Sequence, residues 1–485
     1  MKKAISLLLA GALSLGIFAG CGAKKGQDSL LDPNKPVTLT VWHYYNGAQQ
    51  AAFDALVSEF NATEGAQRDI YVEGYSQGSV TDLEQAVTAA AAGEVGAQEL
   101  PDMFSSYADT AYAVQRDGRL ADLTKYFTQE ELAAYVPSYL ADGDFQGDGG
   151  LYLFPVAKST EITMVNTTDF VPFAEATGTK LEELATFEGI TAVSKRYYEW
   201  TDAQTPDIPD DGKAFYGRDS MSNYFIIGML QQGTELFSVK DGKVTVQADK
   251  EQIRRLWDNY YVPYVQGWFV GLGKFRSDDV KTGEILAYTG SSSSAAYFPD
   301  QVVLEDMDYP IDYAVLPAPQ MEGGTYYNVQ QGAGMAVTKS DEQHEYAACE
   351  FLKWFTAPEN SLRFVCESAY LPVRKDANTV EALDKVIAEK HLTVAPKAYD
   401  TLKSILTDFN ADSFYTPRCF VGGYAARKVL DYDLSDKAVA DKQAIDEQVA
   451  AGVSRAEATA PYLTDGNFES WYDSFCRKLA EKAGA

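Results

Sequence analysis

Apolar positions in this chain follow two different periods. Val37-Thr38-Leu39-Thr40-Val41-Trp42 is apolar at every second place, the period of a strand with one buried face. Past the turn His43-Tyr44-Tyr45-Asn46-Gly47, apolar residues recur at Phe53, Leu56, Val57 and Phe60. That i, i+3, i+4, i+7 spacing predicts a helix with one apolar stripe. Residues 69–75 predict a second strand, residues 81–92 an alanine-rich helix capped by Thr81, and Pro101-Asp102-Met103-Phe104 opens a third strand. Strand–helix–strand–helix succession points to an α/β fold with a doubly wound parallel sheet. Ligands of such sheets bind beyond the carboxyl ends of the strands. The loops after Trp42 and after Phe104 (Ser105-Ser106-Tyr107-Ala108-Asp109) leave those ends.

A second α/β region follows. Two extended stretches, 151–156 and 161–165, flank Ala157-Lys158-Ser159-Thr160, which reads as a crossing point into a second lobe. Residues 223–232 predict a buried helix, 237–246 a hairpin around Asp241-Gly242, and 252–261 another helix. Residues 285–289 run extended into Ser291-Ser292-Ser293-Ser294. A serine run after glycine is ordinarily a slack linker, and only context turns it into a loop that meets a ligand. Residues 311–316 and 334–338 predict strands returning to the first lobe. Ala348, Phe351, Leu352 and Phe355 share one helical face, and 358–482 is mostly helical.

The N-terminus changes the compartment. Lys2 and Lys3 precede fifteen largely apolar residues, Ala4 to Phe18, too few to span a bilayer, which needs ~20. This is the pattern of a secretory signal. It ends in Phe18-Ala19-Gly20-Cys21, small residues before a cysteine, which resembles a lipoprotein cleavage box. Residues 1–20 are thus expected to be a signal peptide, Cys21 the lipidated residue, and 21–36 a polar tether. Two or three acyl chains at ~0.8 kcal/mol per buried methylene suffice for lasting attachment. The protein is expected outside the cytoplasmic membrane.

Bulk chemistry removes several function classes. A net charge of −29 repels a phosphate backbone, so no nucleic-acid partner is expected. Three histidines, and cysteines at 349, 366, 419 and 476 with no CxxC spacing, make a metal site or cofactor unexpected. These four cysteines are expected to be small buried or free thiols. Aromatic content is 13%, with 31 tyrosines. Tyrosine offers a flat apolar face and a polar rim, which suits ligands with C–H faces and hydroxyl edges.

Several segments, in order, resemble the extracellular solute-binding proteins of ABC importers. They are Thr40-Val41-Trp42-His43, Phe60-Asn61, Pro101-Asp102, Gly118 to Leu123 (GRLADL) and Leu153 to Asn166 (LFPVAKSTEITMVN). Later come Gly332 to Lys339 (GAGMAVTK), Ala347 to Asn360 (AACEFLKWFTAPEN) and Tyr370 to Arg374 (YLPVR), with Ala369 where that turn usually has glycine. The resemblance implies a two-lobed, periplasmic-binding-protein-like α/β fold with hinge strands and an interlobe ligand cleft. The first lobe would comprise 37–157 plus 311–357 and the second 158–310 plus 358–485, with crossings near 157, 311 and 357. It also implies a non-catalytic, monomeric receptor for a small polar solute, working with permease subunits.

Candidate ligand contacts follow from the same resemblance. They are Tyr44, Tyr45 and Asn46 after the first strand, Tyr107 and Asp109 after the third, and Lys158, Ser159 and Thr160 at the first crossing. Asp109 also suits a helix N-cap. Gln331 and Gly332 match a hinge-side strand, and Ser291 and Ser292 occupy the place of a second-lobe contact loop, which turns the serine run from linker to binding loop. Phe420 and Tyr424 fall in a loop offering an aromatic platform. In the glycerol-phosphate-binding branch that loop carries an arginine; here Phe420 stands there, with Arg418 two residues early. A carbohydrate is therefore the expected ligand and a glycerol phosphate or phosphodiester the alternative, drawing on Lys158, Arg218 and Arg418. A secreted glycoside hydrolase would need two opposed carboxylates, and a surface adhesin is a third option. The chain shows no nucleophile-elbow or HExxH motif.

Overall fold

In the computed structural model, residues 30–240, 242–407 and 409–485 are described. The expected signal peptide and Cys21 lie outside them, as does Asp241 at the tip of the hairpin Phe237–Lys240 and Lys243–Val246. Val37–His43 forms the first strand, with Val37, Leu39 and Val41 buried as their alternation predicts. It pairs in parallel with Ile70–Ser76 and Met103–Ser106. Gly334–Val337 then joins antiparallel, and Phe154–Pro155 completes a five-stranded sheet. The helix Gly47–Ala62 buries the expected Phe53, Leu56, Val57 and Phe60. Its Phe60 ring meets Phe351 and Trp354 of the helix Glu342–Phe355. The alanine-rich helix runs Val80–Ala92. Its cap is Ser79, which exchanges hydrogen bonds with Asp82, rather than Thr81.

A second sheet holds, in order, Tyr313–Pro317, Glu161–Asn166, Ala287–Ser291 and Tyr216–Arg218. The strand 313–317 was expected in the first lobe. It instead pairs antiparallel with Glu161–Asn166 as a half-exposed edge. A short alternating strand carries nothing in its own pattern that selects between two sheets. The helix Met221–Gln231 is buried along its whole length, beside the long helix Gly423–Ala450.

Two large apolar cores result. One gathers residues from 37–157 and from 333–419, the other from 165–329 and 420–483. The chain therefore passes between cores at 158–160, around 328–332 and around 414–419, not at 311 and 357. Helices Pro358–Ser368, Val380–Lys390 and Pro396–Thr407 add Leu362, Phe364, Val365, Leu383 and Leu402 to the first core. Their apolar stripes predict helices without saying which core receives them. The connecting segments lie side by side: Ser159 and Gln331 exchange backbone hydrogen bonds of 2.8 and 3.0 Å, and Asn328–Val329 pairs in parallel with Phe414–Tyr415. Ala369 holds φ +52°, the left-handed conformation that glycine adopts more readily. Cys349, Cys366, Cys419 and Cys476 are unpaired.

Candidate functional site

A cavity of about 270 Å³ lies where the two cores and the connecting segments meet. The first core supplies Thr81 and Glu84 from the start of the helix Val80–Ala92, Tyr107 and Asp109 from the start of the helix after the third strand, and Asp142. The connecting segments supply Lys158, Gln330, Gln331, Gly332 and Thr416. The second core supplies Ser222 and Asn223 from one helix and Tyr424, Arg427, Lys428 and Asp431 from another. A neighbouring cavity of about 410 Å³ shares Asp142, Gln330 and Thr416 and adds Asp144, Glu235 and Arg418.

Charges in the cavity come in opposed pairs. Lys158, only 2% exposed, donates to Asp142 Oδ2 at 2.5 Å and to the Gly332 carbonyl at 3.2 Å. Gly332 has φ +98°, and a Cβ there would stand 2.8 Å from the Ala157 carbonyl oxygen, so only glycine permits this approach. Across the cleft, Arg427 Nε lies 3.5 Å from Asp109 Oδ2. Burial raises the Asp109 carboxyl above its ordinary range, with Arg427 pulling the other way. Burial also raises Glu84, opposed by Lys428.

Behind the cavity a polar network fastens the second lobe to the connecting segments. Arg218 Nη2 donates to both Glu161 oxygens at 3.1 and 3.0 Å, and its guanidinium lies 4.9 Å from the Tyr224 ring. Asn223 donates to Glu161 and to the Gln331 side chain, each at 3.1 Å, and Gln331 in turn donates to the Thr160 carbonyl. Buried charge of this kind persists only when so paired. Arg218 faces Glu161 behind the cavity and is not part of its lining, with Nη1 buried and unpartnered.

Of the expected contact residues, Tyr107, Asp109, Lys158, Gln331, Gly332 and Tyr424 line the cavity. Asp109 sits in the first turn of the helix Ala108–Arg116, whose N-cap is Tyr107. The other expected residues lie elsewhere. Tyr45 packs among His43, Phe53 and Phe364, and the Tyr44 hydroxyl bonds that of Tyr370 at 3.2 Å. Asn46 is exposed at the start of its helix. Ser159 and Thr160 are buried in the first crossing and do not line this cavity. Phe420 is a core residue against Phe237 at 5.1 Å. Arg418 reaches the neighbouring cavity instead.

Ser291 and Ser292 do not line this cavity either. Ser291 caps a short helical turn, Ser294 Oγ donates to the Ser291 carbonyl at 2.6 Å, and Ser292 N–H donates to the Thr160 carbonyl at 2.7 Å. Short hydroxyls serve a turn's own backbone as readily as a ligand. Sequence reading missed Glu84, Asp142, Asn223, Arg427, Lys428 and Asp431. The last three share a face of a helix with Tyr424 at i+3, i+4 and i+7, a spacing visible once that helix is assigned.

Two α/β lobes joined by connecting segments that lie side by side, with a polar cavity at the junction, define a solute-receptor architecture. The chain belongs to the family of bacterial extracellular solute-binding proteins, whose pattern it matches over residues 55–395. It is similar to the solved cyclic alpha-maltosyl-1,6-maltose binding protein of Arthrobacter globiformis, at 19% identity and TM-score 0.62, over 93% of this chain and 99% of that one. UgpB of Mycobacterium tuberculosis, solved with glycerophosphocholine, matches at 19% identity and TM-score 0.64, over 92% and 99%. The ABC substrate-binding protein Lmo0181 of Listeria monocytogenes, solved with cycloalternan, matches at 16% identity and TM-score 0.61, over 92% and 100%. No curated protein matches. Among the described residues no helix is long and apolar enough to cross a membrane, and no side-chain group is arranged to hold a metal ion.

Proposed function

We propose that this protein is a lipid-anchored, monomeric, extracytoplasmic receptor that captures a neutral carbohydrate in the interlobe cavity and delivers it to an ABC importer permease. The observation that carries the reading is that carboxylates outnumber cations in the cavity, four to three. Asp142 answers Lys158, Asp109 answers Arg427, and Glu84 and Asp431 stand against Lys428. A phosphate monoester would need cations in excess of carboxylates, whereas sugar hydroxyls use paired charges, amides and hydroxyls as donors and acceptors alike. Tyr107, Asp109, Lys158, Gln331, Gly332 and Tyr424 are the proposed contacts, with Glu84, Asn223 and Arg427 added. Of the similar structures, one is a cyclic alpha-maltosyl-1,6-maltose binding protein and another was solved with cycloalternan, in line with this reading. The glycerophosphocholine-bound relative keeps a phosphodiester as the alternative.

A thermal-shift panel of mono- and oligosaccharides, glycerol 3-phosphate and glycerophosphodiesters tests it. A ligand at a hundredfold excess over its Kd stabilises by ~2.7 kcal/mol. Saccharide hits with no response to phosphates are expected; hits with phosphates alone overturn the carbohydrate assignment. Turnover of a chromogenic glycoside, abolished by Glu84→Gln or Asp109→Asn, would replace the receptor by a hydrolase. Anchoring is tested by Cys21→Ser, which is expected to move the protein from the membrane fraction to the medium.

A further inference from the structure

The helix Gly423–Ala450 does not end its exposed polar face at the cavity. Tyr424 and Lys428 line the cavity, and both also line a shallow hollow of about 480 Å³ outside it, together with Tyr432, Asp433 and Asp436. Tyr424 and Tyr432 are 44% and 54% exposed, and neither packs into a core. Eight residues separate them, a rise of about 12 Å along the helix. Lys428 stands between, its ammonium 5.1 Å from one ring centre and 5.6 Å from the other.

An isolated surface tyrosine needs no explanation, but this arrangement is continuous with a ligand cavity. The cavity is small for a ligand site, where about 300–1,000 Å³ is usual, so a long solute must leave it. One way out runs along Tyr424 onto the hollow. There a chain of sugar rings meets two exposed tyrosine side chains for its C–H surfaces, with the Lys428 ammonium and the Asp436 carboxylate for ring hydroxyls. We infer that Tyr424, Lys428 and Tyr432 form an outer subsite that holds the protruding end of an oligosaccharide whose other end occupies the cavity. This rests on the carbohydrate reading above. The subsite gives the receptor a preference for longer saccharides, and Tyr432, its outermost ring, touches only those long enough to reach it.

The test is calorimetric titration of the full chain with di- to heptasaccharides of the malto, cello, xylo and manno series, for the unaltered protein, Tyr432→Ala and the control Tyr71→Ala. Tyr71 is an exposed tyrosine on the edge strand of the first sheet. Alanine is favoured at an exposed helical position, so Tyr432→Ala folds. For the series that binds, affinity is expected to rise with length. Tyr432→Ala is expected to lose about fivefold for the longest members, the scale of one aromatic contact, and nothing for the disaccharide, while Tyr71→Ala changes neither. Binding without length preference, or an equal loss at every length, overturns the outer subsite and leaves the carbohydrate reading standing. No binding in any series overturns both.

Discussion

His43 closes the first strand beneath the tyrosine turn, and its environment dictates an acid response. The side chain is 0% exposed, stacked 5.1 Å from Tyr45 and 4.7 Å from Phe53. Its Nδ1 accepts from the Tyr45 N–H at 3.2 Å, so the neutral ring carries its proton on Nε2, and protonating Nδ1 breaks that bond. Nε2 is buried without a partner. Burial accordingly pushes the imidazole down from 6.5 to about 4. The folded state binds this proton less readily than the unfolded chain, so stability is full above pH 6.5 and falls as the pH drops towards 4, below which both states are protonated. A difference of about 2.5 pH units corresponds to ~3 kcal/mol, or roughly 10 °C in the melting of a lobe of this size. Urea titrations at half-unit steps from pH 7.5 to 4 measure it. The comparison is with His43→Asn, whose amide oxygen replaces Nδ1 as acceptor without titrating. Carboxylate contributions are common to both proteins and cancel in the difference. The unaltered chain is expected to lose up to ~1.4 kcal/mol per pH unit more than the variant across this window. Parallel curves, or a His43 ring that titrates near 6.5 by NMR, would refute the argument.

Three further substitutions test the packing and the cavity. Asp142→Ala strands the buried Lys158 ammonium and is expected to destabilise by about 3–5 kcal/mol in urea unfolding; a loss below 1 would show the pair is not needed. Gly332→Ala forces a Cβ against the Ala157 carbonyl in a left-handed backbone, and an expected cost of at least ~2 kcal/mol is read by thermal melting. Phe420→Ala removes a core ring and is expected to cost about 3–5 kcal/mol while leaving solute affinity per folded molecule unchanged; a stable protein with lost affinity would return Phe420 to the site.

What could be read in the sequence was whatever depends on period. The first strand, the stripe of Phe53 to Phe60 and the crossing at Lys158 each follow from residues within one or two turns of one another. Pairing over distance was not legible. Lys158 finds Asp142 sixteen residues earlier, and Phe420 finds Phe237 across the whole second lobe. Nothing local separates an aromatic that lines a cleft from one that fills a core. The serine run is ambiguous for a related reason: Ser291, Ser292 and Ser294 have the chemistry of ligand contacts and also bond their own turn and Thr160. Arg427 and Lys428 were hidden by charge periodicity, since a solvated helix face shows the same spacing as a cavity wall.

The same contrast between local and distant contacts bears on how the lobes move. Each lobe has its own apolar core, and the contacts between them combine polar pairs with apolar packing of Ile405 against the cluster around Phe298. Arg427 meets Asp109, Lys397 meets the Phe298 carbonyl and Asp300, and Tyr313 donates to Asp400 at 2.7 Å. Such partly exposed pairs contribute about 1 kcal/mol each at most, or ~3 kcal/mol together. A solute bound at micromolar Kd contributes about 8 kcal/mol. A solute that touches both walls therefore outweighs these polar pairs. Asp109 and Arg427 come from opposite lobes and face each other across the cavity. A ligand hydroxyl bridging the two would couple capture directly to closure.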